Sequence, residues 1–150
     1  MNFDRSLQRL LRLRRSLERQ EELKLAVAST RLQSARSGLD QARDASRHGH
    51  DALNQQLTEV DSVGGAELQA AALRHEIERE RGRHMLAAVE AAQTAHREQC
   101  AALLARTRER EVLDILREHD ESARRSESVR REQAAHDEIF LLRRPGSSDH

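Results

Sequence analysis

Leucines recur every seven positions through the first half of the chain. Leu25, Leu32, Leu39 and Leu53 keep this period, and an alanine follows each of the first three at a distance of three residues. Such a repeat is typical of helices that pack along a seam, meaning the face that each helix turns towards the other. No proline interrupts this stretch. The pattern predicts one long helix over residues 3–60.

A denser apolar stripe opens this helix, with members three and four residues apart. The stripe consists of Phe3, Leu7, Leu10, Leu11, Leu13 and Leu17. Because the step from Leu17 to Leu25 is eight residues, the register is expected to slip there and the supercoil to relax locally. Further along, Gly49 costs about 1 kcal/mol relative to alanine in a helix interior, which predicts local mobility.

A second helix is predicted over residues 66–143, and its later part carries another seven-residue repeat. This repeat runs through Val112, His119, Ser126, Gln133 and Phe140, with Ile115, Ser122, Val129 and His136 between them. It predicts the seam of the second helix, where His119 and His136 are polar residues that set the register. Pro145 ends the helix, and residues 144–150 are expected to form a flexible tail.

The adjacent glycines at 64–65 predict a turn over residues 61–65, because glycine tolerates the positive φ at which a helix ends and turns. When the chain is reversed there, Leu39 faces Ala88 and Val89, and large residues repeatedly oppose alanines. The expected fold is all-α, with two long helices forming one antiparallel coiled-coil hairpin over residues 1–143. A flexible kink inside one very long helix is the alternative.

Composition supports long helices and argues against a thick globular core. Charged residues make up 35% of the chain and aromatic residues 1%, while the formal net charge is zero. The sustained seven-residue repeats argue against disorder, the competing class for so polar a sequence. Cys100 is the only cysteine, so a reducing compartment is expected. With no apolar run of membrane-spanning length and no signal peptide, we expect a soluble, cytoplasmic protein.

Candidate chemistry is sparse despite eight histidines. No Glu-x-x-His, His-x-x-x-His or Cys-x-x-Cys spacing is present, so no metal ligands or cofactors are expected. The histidines at 48–50 are interpreted as adventitious, and nothing in the sequence places a base beside Cys100. Helical hairpins also lack a substrate pocket. We therefore expect neither an enzyme nor a small-molecule binding protein.

The second helix is predicted to outrun the first, which leaves residues 125–143 without an intramolecular partner. This stretch contains Ile139-Phe140-Leu141-Leu142, the most apolar tetrapeptide of the chain. An exposed apolar cluster of this kind usually marks an interface. Self-association of a sticky helix end is the alternative interpretation.

Three groups of residues, taken in order, resemble the flagellar export protein FliJ family. They are Phe3-x6-Leu10-Leu11-x-Leu13-Arg14-x3-Leu17-Glu18, Ala66-Glu67-Leu68-Gln69, and Leu113-x2-Leu116-Arg117-Glu118 with Arg130-Arg131-Glu132-Gln133-x3-Asp137-Glu138. The resemblance covers nearly the whole chain. A single lysine, Lys24, departs from the common family pattern and leaves open the injectisome stalk proteins of the YscO type.

The resemblance implies a stalk of the type III export apparatus that binds and stimulates a hexameric export ATPase. It also implies contacts with the export gate membrane protein and with export chaperones, in the cytoplasm at the inner membrane. The ATPase-binding candidates are Phe3, Leu7, Arg9, Arg12, Arg15, Val129, His136, Ile139 and Phe140. The gate-binding candidates are Leu53, Leu57, Leu73, Ile77 and His84. A dimeric coiled-coil scaffold is the alternative; nucleic acid is not an expected partner, because the arginine-rich helix lacks aromatic stacking groups.

Overall fold

Two long α-helices make up the part of the chain that the computed structural model describes, residues 2–58 and 64–144. Helix α1 spans Asn2–Thr58 and helix α2 spans Gly65–Arg143. The two helices pack against each other in antiparallel directions, which confirms the all-α fold class. The predicted bounds were 3–60 and 66–143.

The predicted turn at 61–65 lies outside the described residues except for Gly64 and Gly65, and the predicted tail does so beyond Arg144. At the start of α2, the carbonyl oxygen of Gly64 accepts backbone hydrogen bonds from Glu67 at 3.1 Å and from Leu68 at 3.2 Å. Glu67 also places a carboxylate in the first turn, where the positive end of the helix dipole favours it.

The helices form two compact units, each built from both helices. The central unit is Leu17–Arg106, and the terminal unit combines Met1–Ser16 with Thr107–His150. The organisation of residues 1–143 as a single domain stays a prediction.

The core of the central unit is a thin line of aliphatic side chains. Leu32, Leu39 and Val89 are buried and pack together, and Ala35, Met85 and Ala92 close around them. The predicted pairing of Leu39 with Val89 is therefore confirmed, whereas Ala88 is exposed. Alanines beside the buried leucines allow the two helices to approach closely, which compensates for the lack of aromatic residues.

The seam of α1 keeps seven-residue steps throughout, so the predicted slip between Leu17 and Leu25 is wrong. Leu11 is buried, and the next seam positions are Glu18 and then Leu25, both half-buried. The eight-residue step arose because it was counted from Leu17, which lies beside the seam position Glu18 and not at a seam position itself. Within that stripe Leu7 and Leu11 are buried, whereas Phe3, Leu10 and Leu13 are exposed.

Polar side chains replace aliphatic ones on the seam near residue 49. Gly49 lacks a side chain, and the Glu78 carboxylate of α2 occupies the space that a Cβ atom there would need. The rings of His50 and His75 lie 5.6 Å apart beside it. Three buried side-chain atoms here have no hydrogen-bond partner, namely Gln56 Oε1, His75 Nδ1 and Glu78 Oε2. This stretch of the seam therefore gains little from apolar burial.

A polar clamp joins the helices nearer the other end of the central unit. The Gln99 side-chain amide donates to the Glu21 backbone carbonyl at 3.2 Å and also to the Glu21 carboxylate. The hydrogen bond from Gln99 lowers the pKa of Glu21 below its ordinary value of 4.5, and the charge of Lys24 contributes in the same direction. The clamp is thus strongest when Glu21 is ionised.

We predict that this clamp stabilises the fold near neutral pH and that this contribution to stability is lost in acid. Because the folded-state pKa of Glu21 is depressed, the contribution is complete above its unfolded pKa and disappears as the pH falls through the folded value. The melting temperature of Glu21→Gln should lie below that of the unmodified protein at pH 7. The gap should narrow as the pH falls below the ordinary value of 4.5 and close as the pH falls through the lower folded-state pKa; a gap that stays constant from neutral pH into strong acid would contradict the assignment.

Candidate partner-binding surfaces

Ion pairs between α1 and α2 show how the two helices are aligned in the terminal unit. Arg14 Nη1 lies 2.7 Å from Glu109 Oε2, and Arg15 Nη2 lies 3.6 Å from Asp114 Oδ1. Further towards the start of α1, Asp4 Oδ2 lies 3.7 Å from Arg124 Nη1. The contacts of Arg14 and Arg15 lie at residues 109–114 of α2, whereas that of Asp4, nearer the start of α1, lies at Arg124, so the two helices are antiparallel.

The seam of α2 in the terminal unit is not the seven-residue repeat that the sequence analysis selected. The half-buried positions include Arg110, Leu113, Arg117 and Asp120, which continue in seven-residue steps from the seam of the central unit. Val112, Ile115, His119, Ser122, Ser126, Val129, Gln133, His136 and Phe140 are all exposed. The prediction that His119 and His136 are seam residues is therefore wrong, because the more apolar repeat faces outwards.

Exposed apolar side chains collect on one side of this unit, here called the apolar flank. On α1 these are Phe3, Leu10 and Leu13, and on α2 they are Val112 and Leu116. Helix geometry places all five on the side of the seam away from the Arg15–Asp114 pair. Leu13 is 55% exposed, and Ile115 on the neighbouring outer face is 65% exposed. Apart from Phe3, the sequence analysis assigned none of these to a site.

Charged residues occupy the opposite side of the terminal unit. Arg12 and Arg15 lie there on α1, facing Asp114, Glu118 and Glu121 on α2. Of the predicted arginines, Arg9 and Arg12 are exposed and Arg15 is ion-paired with Asp114. The three predicted arginines and the apolar flank therefore do not form one continuous surface.

The last part of α2 has no buried face among the residues that the structure describes. Every residue from 128 to 144 is exposed, and we call this segment the C-terminal extension. It holds the predicted residues Val129, His136, Ile139 and Phe140, the last of them 69% exposed. Leu7, also predicted to bind the ATPase, is only 5% exposed and supports α1 from inside the unit.

The five residues predicted to bind the export gate lie in the central unit and differ in exposure. Leu53 is half-buried on the seam, while Leu57, Leu73 and Ile77 are exposed. His84 is exposed, and its Nε2 lies 3.5 Å from Glu80 Oε1. Four of the five side chains are therefore accessible to another molecule.

One small polar cluster was missed by the sequence analysis. The ring of His96 has Nδ1 3.8 Å from Cys100 Sγ and Nε2 3.1 Å from Ser29 Oγ. A base does therefore stand beside Cys100, contrary to expectation. The spacing of four residues, which brings side chains together on a helix, was the available signal.

The described residues also bear on metal binding and on membrane insertion. Across 2–58 and 64–144, no group of three or more His, Cys, Asp or Glu side chains is arranged to hold a metal ion. In the same residues, neither helix has a stretch apolar enough to cross a membrane.

Comparison with known protein families gives a match over nearly the whole chain. The family model described as "Flagellar FliJ protein" matches residues 3–146, which is nearly the whole chain. No curated protein and no solved structure matches significantly.

Proposed function

Because this chain belongs to the flagellar FliJ family and is thereby a structural component of the flagellar export apparatus, we propose that it is a stalk that binds and stimulates the hexameric export ATPase. The terminal unit makes that contact, and the central unit contacts the export gate membrane protein. The family match favours the flagellar system over the injectisome alternative.

The exposed apolar surface of the terminal unit carries this proposal. In a chain where 35% of the residues are charged, the apolar flank and the C-terminal extension concentrate uncovered aliphatic and aromatic side chains in one unit. Exposed apolar patches of this kind mark interaction sites. Burying a side chain such as Phe140 in the ring would contribute about 1.5–3 kcal/mol, so a few such contacts would dominate the affinity.

The arginines have a smaller role in the same contact. A solvent-exposed ion pair is worth at most about 1 kcal/mol, and Arg15 is already paired within the chain. Arg9 and Arg12 remain accessible and would meet acidic groups on the ATPase. Their main effect is on the association rate and on its dependence on salt.

We assign the binding site for the export gate to the exposed apolar residues of the central unit, Leu57, Leu73 and Ile77, together with His84. Support for the assignment is their accessibility; Leu53 contributes mainly to packing between the helices. The escort of export chaperones and the position in the cytoplasm at the inner membrane follow from the resemblance to the family.

Two variants with matched numbers of substitutions test both contacts in one experiment. The first is Phe3→Ser, Leu13→Ser and Ile115→Ser in the terminal unit; the second is Leu57→Ala, Ile77→Ala and His84→Ala in the central unit. All six side chains are exposed, so both variants should fold. We expect the first to lose ATPase stimulation and keep gate binding, and the second to do the reverse.

The measurements are ATP hydrolysis by the purified ATPase and binding to the soluble domain of the gate protein. Circular dichroism of both variants provides the control for folding. If neither variant changes either measurement, the chain acts as a coiled-coil scaffold, which is the competing function. Loss of both activities in both variants would contradict the division of roles between the units.

A further inference from the structure

We propose that the C-terminal extension pairs with the same segment of a second copy of this chain, in antiparallel orientation. Helix α2 continues for more than four turns through residues 128–143, and every residue of this stretch is exposed in the part of the chain that the structure describes. A helical segment of this length is only marginally stable in water by itself. A second helix laid against it would supply the missing burial.

The seven-residue repeat that faces outwards on α2 defines which face of the C-terminal extension a second copy would cover. Val129, Gln133, His136 and Phe140 are spaced by four, three and four residues, so they share one side of the helix. In an antiparallel pair centred between Gln133 and His136, Val129 of each copy packs against Phe140 of the other. Gln133 meets His136 at the centre, where a polar pair fixes the register.

Charge along the edges of this face selects the orientation. Arg130 and Asp137 lie on one edge, seven residues apart, and antiparallel pairing sets Arg130 of each copy beside Asp137 of the other. Parallel pairing would instead bring Glu132 next to Asp137, and Arg125 next to Arg130, across the interface. Charges at these edge positions determine partner choice and direction in coiled coils. The segment is therefore complementary to itself in the antiparallel direction alone.

The charges that this arrangement uses are available. Within the described residues, Asp137 makes no ion pair, and Arg130 pairs only with Glu127 of its own helix, at 3.0 Å. Exposed pairs between neighbouring turns contribute little, so Arg130 can exchange or share that partner. Self-pairing would cover Val129, His136 and Phe140, which are also proposed to contact the ATPase, so the two associations exclude each other.

The test uses two charge reversals with matched controls. Arg130→Glu and Asp137→Arg each place like charges across the interface, and each should weaken dimerisation by roughly tenfold or more. Mixed in equal amounts, the two variants should form a heterodimer, because opposite charges then meet at every edge contact. Sedimentation equilibrium over a range of concentrations measures the dimer in each case.

The controls are Arg131→Glu and Glu138→Arg, which change the net charge in the same way but lie on the back of the helix. Arg131 is a close match for Arg130, since both pair with Glu127 and their side chains are 79% and 78% exposed. The controls should dimerise like the unmodified protein. The proposal is overturned if the unmodified chain stays monomeric up to millimolar concentration. It is also overturned if the charge-reversal variants dimerise as strongly as the controls, or if mixing the two variants does not restore dimer formation. None of these measurements involves the ATPase, so they succeed or fail independently of the proposed function.

Discussion

Deleting residues 137–150 is expected to abolish stimulation of the export ATPase while leaving the melting temperature nearly unchanged. The deletion removes Ile139 and Phe140, whose burial in the ring would provide several kcal/mol of binding free energy at about 1.5–3 kcal/mol per large side chain. Stability should change little because residues 137–144 are all exposed and none of them belongs to the buried core. ATP hydrolysis and thermal unfolding followed by circular dichroism measure the two effects.

Two further variants make this result specific. Deletion of residues 145–150 alone should keep full stimulation, because every residue proposed to contact the ATPase precedes Pro145. The full-length Arg130→Glu variant should also stimulate, since it weakens self-pairing but retains the apolar side chains. Full stimulation by the chain that lacks residues 137–150 would contradict the proposal and favour the scaffold alternative.

Leu39→Ala is expected to be the most damaging single substitution in the central unit. Leu39 is 7% exposed and belongs to the small cluster with Leu32 and Val89. Removing a buried leucine side chain costs about 2–5 kcal/mol of unfolding free energy, through lost burial and the cavity that remains. Because this unit has few other buried aliphatic residues, few neighbouring side chains can move into the cavity.

Urea unfolding measures this loss directly, and Leu73→Ala provides the matched control. Both substitutions remove the same atoms from a leucine on one of the long helices, but Leu73 is 63% exposed. The control should therefore change the unfolding free energy by no more than about 0.5 kcal/mol. Equal effects from the two variants would show that the leucine cluster is not the main source of stability in this unit.

The accessible residues of the C-terminal extension could be predicted from the sequence, because the unequal lengths of the two helices are enough to leave them exposed. Helix α2 is longer than α1, and its last residues, including Phe140, are exposed in the described part of the chain. The apolar flank was not found from sequence. Leu10 and Leu13 were grouped with Leu7 and Leu11 in one stripe, and spacings of three and four residues do not distinguish a seam from its edge.

The sequence by itself determined that the chain forms two long helices, since strong helix formers and a sustained apolar period continue over dozens of residues without a proline. It also determined the seam around Leu32 and Leu39, where large and small residues repeat with a single register. Those features are local, and the period of the helix fixes them.

Only the tertiary structure decided which face of α2 meets α1 near the chain ends. The repeat with Val112 is more apolar than the one with Arg110, so the sequence alone predicts the Val112 repeat as the seam. The packed helix keeps the register set by Val89, however, because moving the seam to another face would require an insertion in the repeat. Interhelical ion pairs such as Arg14–Glu109 stabilise the polar seam that results. The more apolar repeat is thereby left on the surface, available to other molecules.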